Sequence, residues 1–289
     1  MGSSARQHRQ HLGLAIAGAV CVLVSAAVVG STSGSPANPI RVTRPDPEFV
    51  LARLAYSDGY FGGGGFRGGR NGSWTIDAPQ AECHLIGGIR RLTRVDTFDP
   101  GNDCDDPANV TPVRPGGPLD KSELDIFDFP FVYGVEVGRW YLDEDEAKHM
   151  REYLLRGGFL MVDDFHGYEQ WEAFAESMER VFPARPIIDI PDTHEVFHVL
   201  YDVGQQVRDR KQIPGIVALG DGCEQCGRGG TPPQWKGIFD DSGRLMVAIN
   251  FNMDLGDAWE HADTPGYPQP LTALAYRFAI SYALYSMTH

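Results

Sequence analysis

Residues 150–167, MREYLLRGGFLMVDDFHG, decide the fold. Upstream, Asp143 and Glu146 form the D-x-x-E pattern of a capping box. Ala147, Met150 and Leu154 then recur at helical spacing until Gly157-Gly158 stops the helix. Phe159–Val162 reads as a short buried strand. The strand breaks into Asp163-Asp164-Phe165-His166-Gly167, and a second helix places Trp171, Phe174, Met178 and Val181 on one face before Pro183. A helix–glycine–strand–loop–helix unit is the repeating element of a parallel sheet covered by helices.

The alternation extends in both directions. FVLARLAY (49–56) reads as a strand and leads into the glycine-rich YFGGGGFRGGRNGSW (60–74). A helix should follow, with Asp77 as N-cap, Pro79 in its first turn, and Leu85, Ile89 and Leu92 on one face. Residues 96–123 read as loop; their acidic cluster lacks the glycine and terminal glutamate of a calcium-binding EF-hand. FPFVYGVEV (129–137) and RLMVAINF (244–251) read as strands, and residues 271–286 as a final helix. The expected fold class is α/β, a mostly parallel doubly wound sheet with helices on both faces, in one domain over residues 49–289.

With 42% hydrophobic and 22% charged residues the composition is that of a globular protein, and the net charge of −14 excludes a typical nucleic-acid binder. Residues 1–37 have the order of an export signal: a basic start, the apolar run LGLAIAGAVCVLVSAAVVG (12–30), then small residues and proline. Cleavage near Ala27 or Ala37 and retention as an inner-membrane anchor both fit; residues 38–48 are then a linker. Either way the domain lies outside the cytoplasm, periplasmic or extracytoplasmic, and touches a membrane only through this segment. Outside the export segment are Cys83, Cys104, Cys223 and Cys226. In an oxidising compartment they allow two disulfides in three pairings, among them Cys83–Cys104 with Cys223–Cys226 as a loop clip.

Candidate chemistry gathers where strands end, because doubly wound sheets bind ligands there. Asp163, Asp164 and His166 follow one strand; Asp254, Asp257 and Glu260, in NFNMDLGDAWEHAD (250–263), follow another. Paired carboxylates can bind a divalent metal, orient an imidazole or act as a base. Trp171 and Trp259 suit a flat ligand if exposed and are core if buried. The glycine-rich loop fits neither a dinucleotide fingerprint nor a P-loop, although Arg67 and Arg70 could close it over an anion. His194-Glu-Val-Phe-His198 spells the H-E-x-x-H of zinc proteases, which needs a long helix and a third ligand; Pro191 and Gly204 leave little room for the helix. The residues favour a short turn capped by His194, with His198 facing the core or a site loop.

The strings GSWTIDAP, IRRLTRV, FDFPFVYGVEVGRWYL, MREYLLRGGFLMVDDFHG, RVFPARPI, NMDLGDAWEHADTPGYP and YSMTH resemble a bacterial family known as domain of unknown function 4159 across nearly all of residues 49–289. That family is similar to the class I glutamine amidotransferase-like superfamily, which implies a flavodoxin-like fold. In amidotransferases the turn after the corresponding strand carries a catalytic cysteine. Here that turn holds Asp163 or Asp164, so the resemblance implies no glutamine hydrolysis and transfers no catalytic roles. Family members often have proline where Glu195 stands, which makes H-E-x-x-H an accident of one residue.

The expected function is an exported or membrane-anchored domain that binds a small molecule or an envelope protein at the strand C-terminal ends. It calls for no cofactor, a divalent metal being the one addition the carboxylates would accept. The alternative is a metal-assisted hydrolase using these carboxylates with His166, His194 or His198, and the third reading is the zinc protease.

Overall fold

A computed structural model describes residues 47–59, 72–219 and 232–289. The chain runs β1 (Ala52–Leu54), α1 (Gln80–Leu92), β2 (Thr111–Val113), β3 (Phe131–Val135), α2 (Glu144–Leu155), β4 (Phe159–Asp163), α3 (Gly167–Val181), β5 (Ile188–Asp189), α4 (Gly204–Arg208), β6 (Gln234–Phe239), β7 (Leu245–Phe251), α5 (Leu255–Glu260) and α6 (Gln269–Thr288). Seven strands form one sheet in the order β2-β1-β3-β4-β7-β6-β5. The pairs from β2 to β7 are parallel. β6 runs antiparallel to β7, and β5 antiparallel to β6.

Alternation along the central strands divides the core into two layers. Phe131, Tyr133 and Val135 of β3, with Phe159 and Met161 of β4, face a layer that includes Leu85 and Ile89 of α1 and Phe278 and Tyr282 of α6. Val132, Leu160 and Val162 face the opposite layer, with Met150 and Leu154 of α2 and Phe174 and Met178 of α3. Helices therefore cover both faces, as the apolar strand runs require. Asp143 caps α2 by accepting the Asp145 and Glu146 N–H groups, and the Glu146 side chain returns to the Asp143 N–H, which completes the expected capping box.

Several local expectations are corrected. Leu92 is 51% exposed, so the buried face of α1 ends at Ile89. Pro79, not Asp77, occupies the N-cap position of α1. The presumed loop 96–123 contributes the edge strand β2. Residues 194–198 make no α-helix: Glu195–Phe197 is a single 3-10 turn. Among the described residues no helix is long and apolar enough to cross a membrane.

Candidate functional site

The strand order reverses between β1 and β3, since β1 is flanked by β2 on one side and β3 on the other. Such a switch point opens a crevice at the carboxyl ends of the strands. Four of the loops leaving this edge contain a non-glycine residue in the left-handed region: Asp77 (φ 64°) after β1, Glu136 (52°) after β3, Asp164 (52°) after β4 and Asn252 (59°) after β7. Left-handed backbone costs an L-residue about 1–3 kcal/mol, and such strain concentrates at binding and catalytic sites.

Hydrogen bonds join the β4 and β7 loops. The Asp164 N–H donates to the Met253 carbonyl (2.9 Å) and the Asn252 N–H to that of Phe165 (3.1 Å), while Asn252 Oδ1 accepts the Gly167 N–H (3.0 Å). The two loops singled out from the sequence thus meet. Asp163, wholly buried, turns Oδ2 to the Leu255 N–H (2.6 Å) and the Gly256 N–H (3.3 Å) at the start of α5. Apart from the neighbouring Tyr133 hydroxyl, its Oδ1 has no hydrogen-bond partner among the described residues. Burial pushes its pKa up to about 7, against the opposing pull of the Tyr133 hydroxyl, the two N–H groups and Arg53. His166 Nε2 lies 3.1 Å from Asp164 Oδ1 on the same loop.

On the α5 side, Asp254 caps the helix by accepting the Asp257 N–H (2.8 Å). Asp257 Oδ2 accepts the Ile216 N–H (2.6 Å). Asp77, Asp254 and Asp257 each place a carboxylate oxygen within 4.8 Å of the other two. Asp257, Glu260 and His261 form a second such group at the half-buried rim. Burial drives the Asp77 and Asp254 pKa values well above the carboxylate range, and neighbouring carboxylates reinforce it. Burial also raises Glu260, with His261 opposing and Asp257 adding to the rise.

Arg53 of β1 provides the cationic counterpart. Fully buried, it is paired with the equally buried Glu82 of α1. It also donates to the carbonyls of Trp74 (2.9 Å) and Ile76 (2.7 Å), fixing the backbone just before Asp77. Its guanidinium lies over the Tyr133 ring, 5.0 Å from the centroid. The Tyr133 hydroxyl faces the Asp163 carboxylate, the one side chain it can donate to among the described residues.

Arg53, Asp77, Glu82 and Tyr133 were not among the candidates from sequence. A lone arginine inside the apolar run FVLARLAY signals a buried partner, because an unpaired charge cannot remain in such a strand. Asp77 stands between β1 and α1 as Asp254 stands between β7 and α5.

The histidines of HEVFH are elsewhere. The His194 ring packs 5.5 Å from Phe239 and 6.0 Å from Tyr285. Phe239 pairs with Leu245, the first residue of β7, so His194 sits at the opposite edge of the sheet from Asp163. His194 does cap the turn, accepting the Val196 N–H at Nδ1. His198, expected to face the core or a site loop, is exposed between the Asp192 carbonyl and Asp202. A 3-10 turn cannot place both imidazoles on one face, so the zinc-protease geometry is absent. Trp259 is buried against Tyr133 and belongs to the core; Trp171 is half-buried and packs on Phe165 and Phe251. Cys83 and Cys104 are joined in a disulfide. Arg67, Arg70, Cys223 and Cys226 lie outside the described residues.

None of the curated proteins matches the chain. Residues 50–287, which hold the whole sheet and all of these acidic residues, match the domain of unknown function DUF4159, and the chain belongs to that family.

Proposed function

We propose that this is an exported domain, freed of its leader by cleavage or anchored by residues 12–30, that binds a cationic ligand at the carboxyl edge of its sheet and does not hydrolyse glutamine. One observation carries the reading: Asp77, Asp254 and Asp257 converge there, with Asp163 tied to the start of α5 beside them, and a buried oxygen of Asp77 has no hydrogen-bond partner among the described residues. A carboxylate in that state is stable only when a proton or a ligand cation neutralises it. The order β2-β1-β3-β4-β7 supports a flavodoxin-like core, whose ligands also bind at the switch point. The turn after β4 presents Asp163 and Asp164 where an amidotransferase needs a thiol, which argues against that activity. The Cys83–Cys104 disulfide and the apolar run 12–30 support an extracytoplasmic location.

Native mass spectrometry of the chain purified from its own cells tests the reading, with glutamate release from L-glutamine measured on the same sample. A non-covalent adduct that Asp254→Asn and Glu260→Gln remove, without glutamate release, is the expected result. Glutamate release, or an adduct indifferent to both substitutions, would reject it. A periplasmic reporter enzyme fused after residue 48 should be active; an inactive fusion would reject export.

A further inference from the structure

We infer that Asp77, Asp254 and Asp257 together hold one divalent cation, backed by Asp163 and Tyr133. The inference rests on the ligand-binding reading above and gives its ligand a chemical class.

The first ground is geometry. One oxygen from each carboxylate lies within 4.8 Å of the other two. Three oxygens so spaced lie no more than about 2.8 Å from a common point, close to the roughly 2.3–2.6 Å of calcium ligands, so a small inward shift lets one ion reach all three. The donors are hard oxygens with neither thiolate nor imidazole among them, which selects calcium, magnesium or manganese over zinc or copper. His261 stands on the outer side of Asp257, its Nε2 3.7 Å from Oδ1, and belongs to the rim.

The second ground is independent of the three carboxylates. The Tyr133 hydroxyl, 1% exposed, has no neighbouring acceptor but the Asp163 carboxylate among the described residues. It lies 2.8 Å from where a Cβ on Gly256 would be, and Asp77 Oδ2 crowds the same point. A buried phenol set between Asp163 and Asp77 Oδ2 fits an outer ligand of an ion bound there, in contact through a hydration water. The Asp163 carboxylate, equally buried, adds negative potential from behind.

Charge balance is the third ground. Arg53 is the buried cation nearest this cluster in the electrostatics of both Asp77 and Asp163, and Glu82 already pairs with it. The carboxylates therefore outnumber the cations around them, and a divalent ion would supply the neutralising charge in place of protons. Asp257 and Glu260 are only half-buried and give the ion a polar approach from solvent.

The test uses the full-length chain stripped with EDTA, titrated separately with Ca²⁺, Mg²⁺ and Mn²⁺ and followed by thermal melting and calorimetry. Free Mn²⁺ is counted by electron paramagnetic resonance. One site per chain is expected for at least one of these ions, weakened more than about tenfold by Asp254→Asn or Asp257→Asn and unchanged by Glu152→Gln on α2. Should Asp254→Asn fail to fold, the half-buried Asp257→Asn carries the variant arm, and the wild-type titration stands without either. Absence of binding by all three ions up to about 1 mM, the weak end of protein calcium sites, overturns the inference. So does binding that survives both substitutions. Native mass spectrometry of the unstripped sample separates the two levels: an organic adduct without ion binding overturns the cation and leaves the ligand-binding edge standing. Neither adduct nor ion overturns both.

Discussion

Asp163 Oδ2 and the Leu255 N–H, 92 residues apart in sequence, meet at 2.6 Å and tie the end of β4 to the start of α5. The acceptor has its pKa raised to about 7, chiefly by burial. Between the ordinary carboxylate value of 3.8 and about 7, the folded chain keeps a proton that the unfolded chain has released. Stability from this group is therefore complete below pH 3.8, falls as pH rises toward 7, and levels off above it. Asp77 and Asp254, also raised, act in the same direction. Asp163→Asn keeps an acceptor for Leu255 and removes the titration. Urea unfolding between pH 4 and 8 in EDTA should show a shallower slope for this variant than for wild type; equal slopes would exclude Asp163 as a source of the pH dependence.

Arg53 and Glu82 make a second prediction. Both are fully buried, and each is the other's principal charge partner. Arg53→Met leaves Glu82 buried without its counter-charge and should cost about 3–5 kcal/mol, the usual penalty for breaking such a pair. Arg53→Met with Glu82→Leu should recover a large part of that loss. Denaturant midpoints of the two single variants and the double variant decide it; a double variant no more stable than the worse single one would mean that the carbonyl bonds to Trp74 and Ile76 dominate.

The layered α/β order was legible in sequence because its signals are local. The Asp143/Glu146 box, Gly157-Gly158 and the apolar run of β4 each specify their own backbone. β5, of two residues, and α4 and α5, of five and six, are too short to show a period, so their existence depends on packing. The reversed direction of β6 could have been read from Asp240-Asp241-Ser242-Gly243, where Gly243 adopts φ 89° and returns the chain into β7. In the site, the Asp163 and Asp254 loops were visible because each directly follows a long apolar strand. Asp77 was not, because an aspartate two residues before a proline resembles a helix cap. Its position at the acidic edge depends on Arg53, whose contacts cross the sheet from β1 to α1 and leave no local trace.

The Cys83–Cys104 disulfide bridges positions 21 residues apart and attaches the loop before β2 to α1, whose N-terminal turn follows Asp77. Closing a loop of that length stabilises the fold by about 3 kcal/mol in the chain-entropy account. Reduction, or Cys83→Ala with Cys104→Ala, should lower the melting temperature by several degrees. Mass spectrometry of the unreduced protein should recover the two peptides as one cross-linked species. Separate peptides from the unreduced protein would contradict both the bond and the proposed oxidising compartment.

Gly256 tests the architecture of the acidic edge without altering a charge. A Cβ at this position would stand 2.8 Å from the Tyr133 hydroxyl and overlap Asp77 Oδ2. Gly256 lies in the first turn of α5, where alanine normally suits a helix better by about 1 kcal/mol. Propensity and packing therefore predict opposite signs. Crowding should prevail: Tyr133 is buried in the core and Asp77 is fixed by its left-handed backbone, so neither can withdraw freely. Overpacking of this kind costs about 1–3 kcal/mol. Gly256→Ala should therefore destabilise the domain in urea unfolding and, if the cation site is as inferred, weaken ion binding while every carboxylate is retained. A stabilised variant with full ion affinity would show that Asp77 and Tyr133 are not held as closely as the structure has them.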